Sequence, residues 1–468
     1  MPNRPGGSHN GTISCLAVIL STSAAFAQSQ ALSRFVSSDQ TSPQQRTMFG
    51  SAPITITFHN ALARAQSNEP TVLAAVNSAN VAHEDAVQAR AALYPALGIR
   101  SEYLNTQGNG RVPSGRYVTN DGVHVYREWA TFHQDVTPAT LTGTAVHHAV
   151  ALEAVARARA DIARRGLVVT VTKAYYGLIA AQRKYATAEL ALDEARRTLT
   201  VTQQLERGGE VAHSDAVKAQ IQVNAQDQAF REAKLAMDTA RLDLAVLLSP
   251  NFNLDFQVVD DLHLSPALPT VAEVQSMALR RNPDLQAAME NLRSASLDIR
   301  IARQAFLPTL TVDLVWGIEA NEIAWRAVDA AFSQLGPIPA PGYFLTGSLT
   351  FPIWDWGSRK SKVRQAVLKR EQASVELSAA QRQLQRNLAG YYQEAETARD
   401  ELALLQQTVD LATENLRLNR LRYQASEATI LELVDAQTTL NQARNALDDG
   451  LVRYRVALAS LQTVTGPF

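Results

Sequence analysis

The chain of 468 residues holds one cysteine, Cys15, so no disulfide framework can staple it and no paired-thiol site can form. Charge of one sign is also not in excess. Its 44 Lys and Arg stand against 45 Asp and Glu, a net charge of -1, which excludes the basic surface that nucleic acid demands. Long apolar runs are scarce. The first, residues 13–20 (ISCLAVIL), follows Arg4 and precedes Ala25-Phe26-Ala27, the pattern of a secretory signal over residues 1–27. Thr12-Ile13-Ser14 does not resemble the small apolar triplet that precedes a lipidated cysteine, so a soluble N-terminus with an extended segment over 28–53 is expected. No later window reaches the roughly 18 apolar residues of a spanning helix. Catalytic patterns are missing as well: there is no H-E-x-x-H, no G-x-x-x-x-G-K-[ST] and no G-x-S-x-G. The adjacent His147 and His148 cannot face one metal from a single helix. Neither an enzyme nor a cofactor is expected.

Proline is absent from two long stretches, between Pro138 and Pro250 and between Pro352 and Pro467, and both are rich in Ala, Leu, Gln, Glu and Arg. Such runs favour uninterrupted helix. From residue 358 to about 422 this predicts a rod of roughly 100 Å at 1.5 Å per residue. Leu377, Ala380, Leu384, Leu388, Tyr391 and Ala395 begin a seam that steps by threes and fours to Leu416, close to the coiled-coil spacing. Near the C-terminus Leu433, Leu440, Leu447, Tyr454 and Leu461 recur every seven residues, with small residues three positions after each of the first four. Val223, Phe230, Met237 and Leu244 sit 217 residues before the last four of these.

What is there is written twice. ARAALYPALGIRSEYL at 89–104 turns from helix-forming to alternating sequence around Pro95, and ARQAFLPTLTVDLVWG at 302–317 does so around Pro308, 213 residues later. Pro70 pairs with Pro283 at the same offset, and PATLTG at 138–143 answers PIWDWG at 352–357. Internal duplication follows. The plan of each half is helix, strand, loop, strand, very long helix, tight turn, helix, over 54–248 and 270–466, joined by 249–269 with a short FQVV run.

Leu310, Val312, Leu314, Trp316 and Ile318 alternate with smaller or polar residues, and Tyr343, Leu345, Gly347, Leu349 and Phe351 do the same. Segments of about 9 to 11 residues with one apolar face are the mark of membrane β-strands. The strands of each pair flank loops at 105–128 and 319–342. Four strands cannot close a barrel, since about eight is the smallest number, and lipid forbids open edges, so several chains must contribute. The competing reading is a periplasmic coiled-coil scaffold that transports nothing. The alternating strands argue against it.

Duplicated halves, paired helix-Pro-strand switches and the run YQASEATILELVDAQ at 423–437 resemble the TolC family of outer-membrane efflux proteins over about residues 54–466. The resemblance implies a mainly α fold with membrane β: a homotrimer whose shared 12-stranded barrel, four strands per chain, continues into a long coiled-coil barrel. It implies an outer-membrane duct, with the helices in the periplasm, coupled through a periplasmic adaptor protein to an inner-membrane pump of an efflux or type I secretion system, with outer-membrane lipid around the strands. By the same resemblance Glu432 and Asp435 line the periplasmic entrance, and Tyr423, Asp215 and Ser214 make gate contacts. The adaptor is then expected at the tips, around Arg207, Gly208, Gly209, Ala425 and Ser426. Ser426 and Ala428 depart from the family, which often has glycine and arginine there, implying a weaker lock.

Overall fold

Threonine, asparagine and proline start the shorter helices of the computed structural model, which describes residues 54–105, 124–249, 256–263, 266–320, 323, 325–327, 338–339, 341–425 and 427–467. The expected signal, the segment 28–53 and Ser426 lie outside the described residues. After a short strand β1 (Ile54–Ile56), Thr57 accepts a hydrogen bond from the Asn60 amide and opens α1 (Phe58–Asn68). Pro70 then sits in the first turn of α2 (Pro70–Ala91), where its missing N–H costs no helical bond. Pro95 stands four residues past that helix and hands over to β2 (Ala96–Asn105). A residue before proline is pushed toward extended backbone, so the switch is local chemistry. β3 (His124–Val136) returns, Pro138 opens the single turn α3 (Pro138–Leu141), and Gly143, in the left-handed region at φ 64°, precedes α4 (Thr144–Gly208) and α5 (His213–Leu248).

The second half repeats this after β4 (Phe256–Val258). Its elements are α6 (Val271–Arg281), α7 (Pro283–Gln304), β5 (Thr309–Ala320), the two-residue strands β6 (Arg326–Ala327) and β7 (Ile338–Pro339), β8 (Pro341–Thr350), α8 (Ser358–Gln424) and α9 (Ile430–Thr465). α1 and α6 both have 11 residues, α2 and α7 both 22, and α5 and α9 both 36. The long helices have 65 and 67 residues, α8 running two residues past the expected end. Two loop expectations need correction. β3 already begins at His124 inside the expected 105–128 loop, and β5, β6, β7 and β8 all occupy parts of 319–342.

The α8 seam is buried against α9: Leu384 packs with Leu461 and Val464, Ala395 and Ala398 with Tyr454 and Ala457, and Ala412 with Leu440 and Ala443. Midway along the helices lies the largest core. β1 and β4 pair in parallel there, and Tyr175 and Tyr176 pack on Phe58 beneath them. The Tyr175 hydroxyl shares its single hydrogen between the carbonyls of Val259, at 2.9 Å, and Ile56, at 3.1 Å, so one phenol ties a long helix to β1 and to the end of β4. Burial pushes its pKa up to about 12. Arg183 clasps Asp260 with two nitrogens at 2.8 Å and Asp448 with a third at 2.9 Å, binding the inter-repeat segment to α4 and α9.

The four long strands form one antiparallel sheet in the order β2-β3-β5-β8, and among the described residues β2 and β8 each keep an unpaired edge. Register sorts the side chains. The rows Leu97, Phe132, Leu314, Leu345 and Ile99, Ala130, Trp316, Tyr343 run across one face, with Ile99 87% exposed. The opposite face is charged. Arg127 bridges its register partners Glu102 and Glu319, and His133 meets its partner Asp313 at 2.6 Å. Gly317 is required for this pairing, because a Cβ there would lie 1.9 Å from the Glu128 carbonyl oxygen.

Candidate functional site

Both coiled coils end in short turns. At the first, Gly209 takes φ 77°, its amide donates to the Glu206 carbonyl, and the Glu210 amide donates to the Leu205 carbonyl. That is a Schellman closure, in which glycine escapes the Cβ penalty of the left-handed region. Gly208 lies inside the helix, so of the two tip glycines only Gly209 takes a positive φ. His213 contacts Glu206 at 2.6 Å across the turn, while Arg207 and Ser214 point to solvent. At the second tip Ala425 ends α8 with φ −85°, and the Glu427 amide donates to the Arg422 carbonyl.

The tip acids differ in circumstance. Glu432 completes a capping box: the Thr429 hydroxyl accepts from its amide, and its carboxylate accepts from the Thr429 amide. Its other oxygen lies 3.3 Å from Arg422. Asp435 is exposed and makes no ion pair or hydrogen bond among the described residues. At the repeat offset of 217, Asp215 corresponds to Glu432 and Lys218 to Asp435. Lys218 pairs with Asp215 at 3.3 Å, which balances the charge of that acid.

Tyr423 is buried against Ile430 and Leu433, and its hydroxyl lies 2.8 Å from the Thr202 hydroxyl. Thr202 is fully buried and donates to the Thr198 carbonyl, so the phenol must be the donor between them. The contact expected with Asp215 is therefore not made within the chain. The phenol points inward to α4, whereas Asp215 stands on α5 with its carboxylate held by Lys218. Arg420 and Glu194 form a second tie between α8 and α4. Thr202 and Glu194 were not singled out by sequence. A signal existed for one of them, since Leu192, Ala195, Thr198 and Thr202 continue a buried seam at helical spacing into two threonines.

Between the coiled coils lies a groove of about 500 Å³ bordered by Arg197, Arg417, Arg420, Arg444, Asp193 and Glu194. Among the described residues no group of three or more His, Cys, Asp or Glu is arranged to hold a metal ion.

The sequence pattern of the outer membrane efflux protein family matches residues 61–249 and 274–467. The outer membrane protein OprJ of Pseudomonas aeruginosa is 25% identical over 70% of this chain, which spans 66% of OprJ, just under two thirds. The pyoverdine export outer membrane protein OpmQ of the same organism is 25% identical over 86% of this chain and 82% of its own length. Among solved structures, the outer membrane protein VceC of Vibrio cholerae superposes with a TM-score of 0.73 at 17% identity, covering 87% of this chain and 96% of VceC. At that identity the likeness speaks for fold alone.

Proposed function

This chain belongs to the outer membrane efflux protein family, and from that membership we propose that it is the outer-membrane duct of a tripartite efflux or type I secretion system. Three copies align their four-stranded sheets edge to edge, β8 of one against β2 of the next, and close a barrel of 12 strands. The carrying observation is the sheet itself: two edges open among the described residues, one apolar face and one charged face, joined through connections of seven residues to helices of 65 and 67 residues. In lipid every backbone group must be paired, and closure with other copies supplies the missing partners. The apolar rows then face lipid and the Arg127 and His133 pairs face the lumen. A periplasmic scaffold would have no use for a four-stranded apolar face open to water.

The duct is passive and catalyses no reaction. Its energy comes from an inner-membrane pump, reached through a periplasmic adaptor that grips the tips at Arg207, Gly208 and Gly209 and at Ala425 and Ser426. At the entrance Asp435, unpaired, supplies the cation-attracting charge, while Glu432 divides its carboxylate between the helix cap and Arg422. The gate is held by Tyr423 on Thr202 together with Arg420 on Glu194, with Ser214 and Asp215 on the neighbouring turn. Conductance of the purified protein in planar bilayers tests this reading. Discrete, cation-preferring channels are expected, and a purified protein that inserts without conducting would overturn it.

A further inference from the structure

Past the last paired residue of β8, Thr350, the chain runs Phe351-Pro352-Ile353-Trp354-Asp355-Trp356-Gly357 before α8 begins. Every large apolar side chain of this segment is displayed. Ile353 and Trp356 are each 90% exposed and Trp354 74%, and the two indoles touch edge to face at 5.7 Å. The polar groups turn the other way and satisfy one another. Asp355 accepts from the amides of Gly357 and Arg359, and Arg359 donates to the Pro352 carbonyl. The segment therefore holds its shape with its apolar side uncovered.

Its backbone also carries strain. Trp356 has φ 55°, the one non-glycine residue with positive φ among those described, followed by Gly357 at φ 85°. A bulky side chain in the left-handed region is costly and persists where the surroundings fix it or function requires it. The duplicated plan does not require it. In the first half Gly143 is left-handed, but Thr142, which answers Trp356, is right-handed at φ −86°, and only Leu141 is large and apolar there.

We infer that Trp354 and Trp356 form a wedge that seats in the headgroup–acyl boundary of a phospholipid bilayer, on the side from which the helices leave. This rests on the membrane reading above. Three observations choose lipid as the occupant. Phe351 continues the alternation of Tyr343, Leu345 and Leu349, so the segment is continuous with the lipid-facing rows. It lies at the level of Pro308, where strands end and water begins, the depth at which amphipathic indoles are favoured. It also lies beyond the ladder that a neighbouring copy would extend, since pairing within the sheet stops at Thr350.

The full chain, reconstituted in phosphatidylcholine vesicles, tests this through tryptophan emission. One variant keeps only the pair (Trp129→Phe, Trp316→Phe, Trp325→Phe), and another keeps only Trp316, which lies in a lipid-facing row. The pair should lose its emission to lipids brominated near the glycerol end of the acyl chain, and keep it with bromine at the chain terminus or acrylamide in the water. Quenching by acrylamide alone would place the wedge in water, and quenching by neither would place it against a neighbouring copy; both overturn the inference. If Trp316 also escapes every brominated lipid, the membrane reading is what has failed. Should the triple variant not assemble, the difference between the natural chain and Trp354→Phe with Trp356→Phe reports the same emission.

Discussion

Tyr423 gives its hydrogen to Thr202, whose own hydrogen goes to the Thr198 carbonyl, so the clasp proposed for the gate is a one-way chain of hydroxyls in a buried place. Tyr423→Phe removes one neutral hydrogen bond, about 0.5–1.5 kcal/mol, or roughly a two- to tenfold shift of the closed–open balance. Bilayer recordings should show that rise in open probability. Thr202→Val should open the channel at least as much, since it strands a buried phenol, while Asp215→Asn should leave it unchanged. An equal effect from Asp215→Asn would return the clasp to the neighbouring helix. For the entrance, Asp435→Asn alone should lose most of the cation preference. Glu432→Gln, which keeps an acceptor for the Thr429 amide, should lose little; the reverse order would show that the capped acid supplies the field. Sequence could display Tyr423 and the paired acids. It could not display Thr202 as a partner 221 residues away, because helical spacing fixes which face a residue occupies and not which neighbouring helix that face meets.

The strands show the same limit at the scale of elements. β5 and β8 were legible because their apolar positions alternate cleanly, and the helices because proline is missing from them. β3 was expected as the second strand of its pair, but its start was hidden: Arg127 and Glu128 make 124–128 read as loop, although Tyr126, Ala130, Phe132 and Val136 keep the period of two. Only the register shows that its charges meet partners on both sides. Gly317→Ala should therefore act on the element rather than the residue, forcing β3 and β5 apart at the junction of the two halves. The barrel should assemble poorly, measured as loss of heat-modifiable migration, and normal migration would show that the strands can yield. The β1–β4 belt carries a pH dependence. The Tyr175 pKa is raised to about 12, so the folded chain keeps the phenol neutral where the unfolded chain, near 10, releases its proton. Stability from this group is full below pH 10 and is lost as pH rises through 12. Tyr175→Phe should flatten that alkaline fall in melting temperature while lowering stability at neutral pH, where two carbonyls lose their donor. An unchanged alkaline slope would assign the fall to other groups.

For the whole molecule, light scattering in detergent should give three times the mass of the chain without its signal, which is less than the 51.0 kDa of the full sequence, after the detergent contribution is removed. A monomer with intact β-structure would overturn the closure of the sheet by neighbouring copies. The equal lengths of α5 and α9, of α2 and α7 and of α1 and α6 then have a geometric consequence. Three chains, each contributing two near-identical coiled coils, present a wall that approximates sixfold symmetry, although the true operator is threefold. Charge does not follow the wall. Lys218 stands where the other half has Asp435, so the entrance field repeats three times where the helix ends repeat six. A partner that reads backbone and shape meets six similar seats, whereas an ion that reads potential meets three.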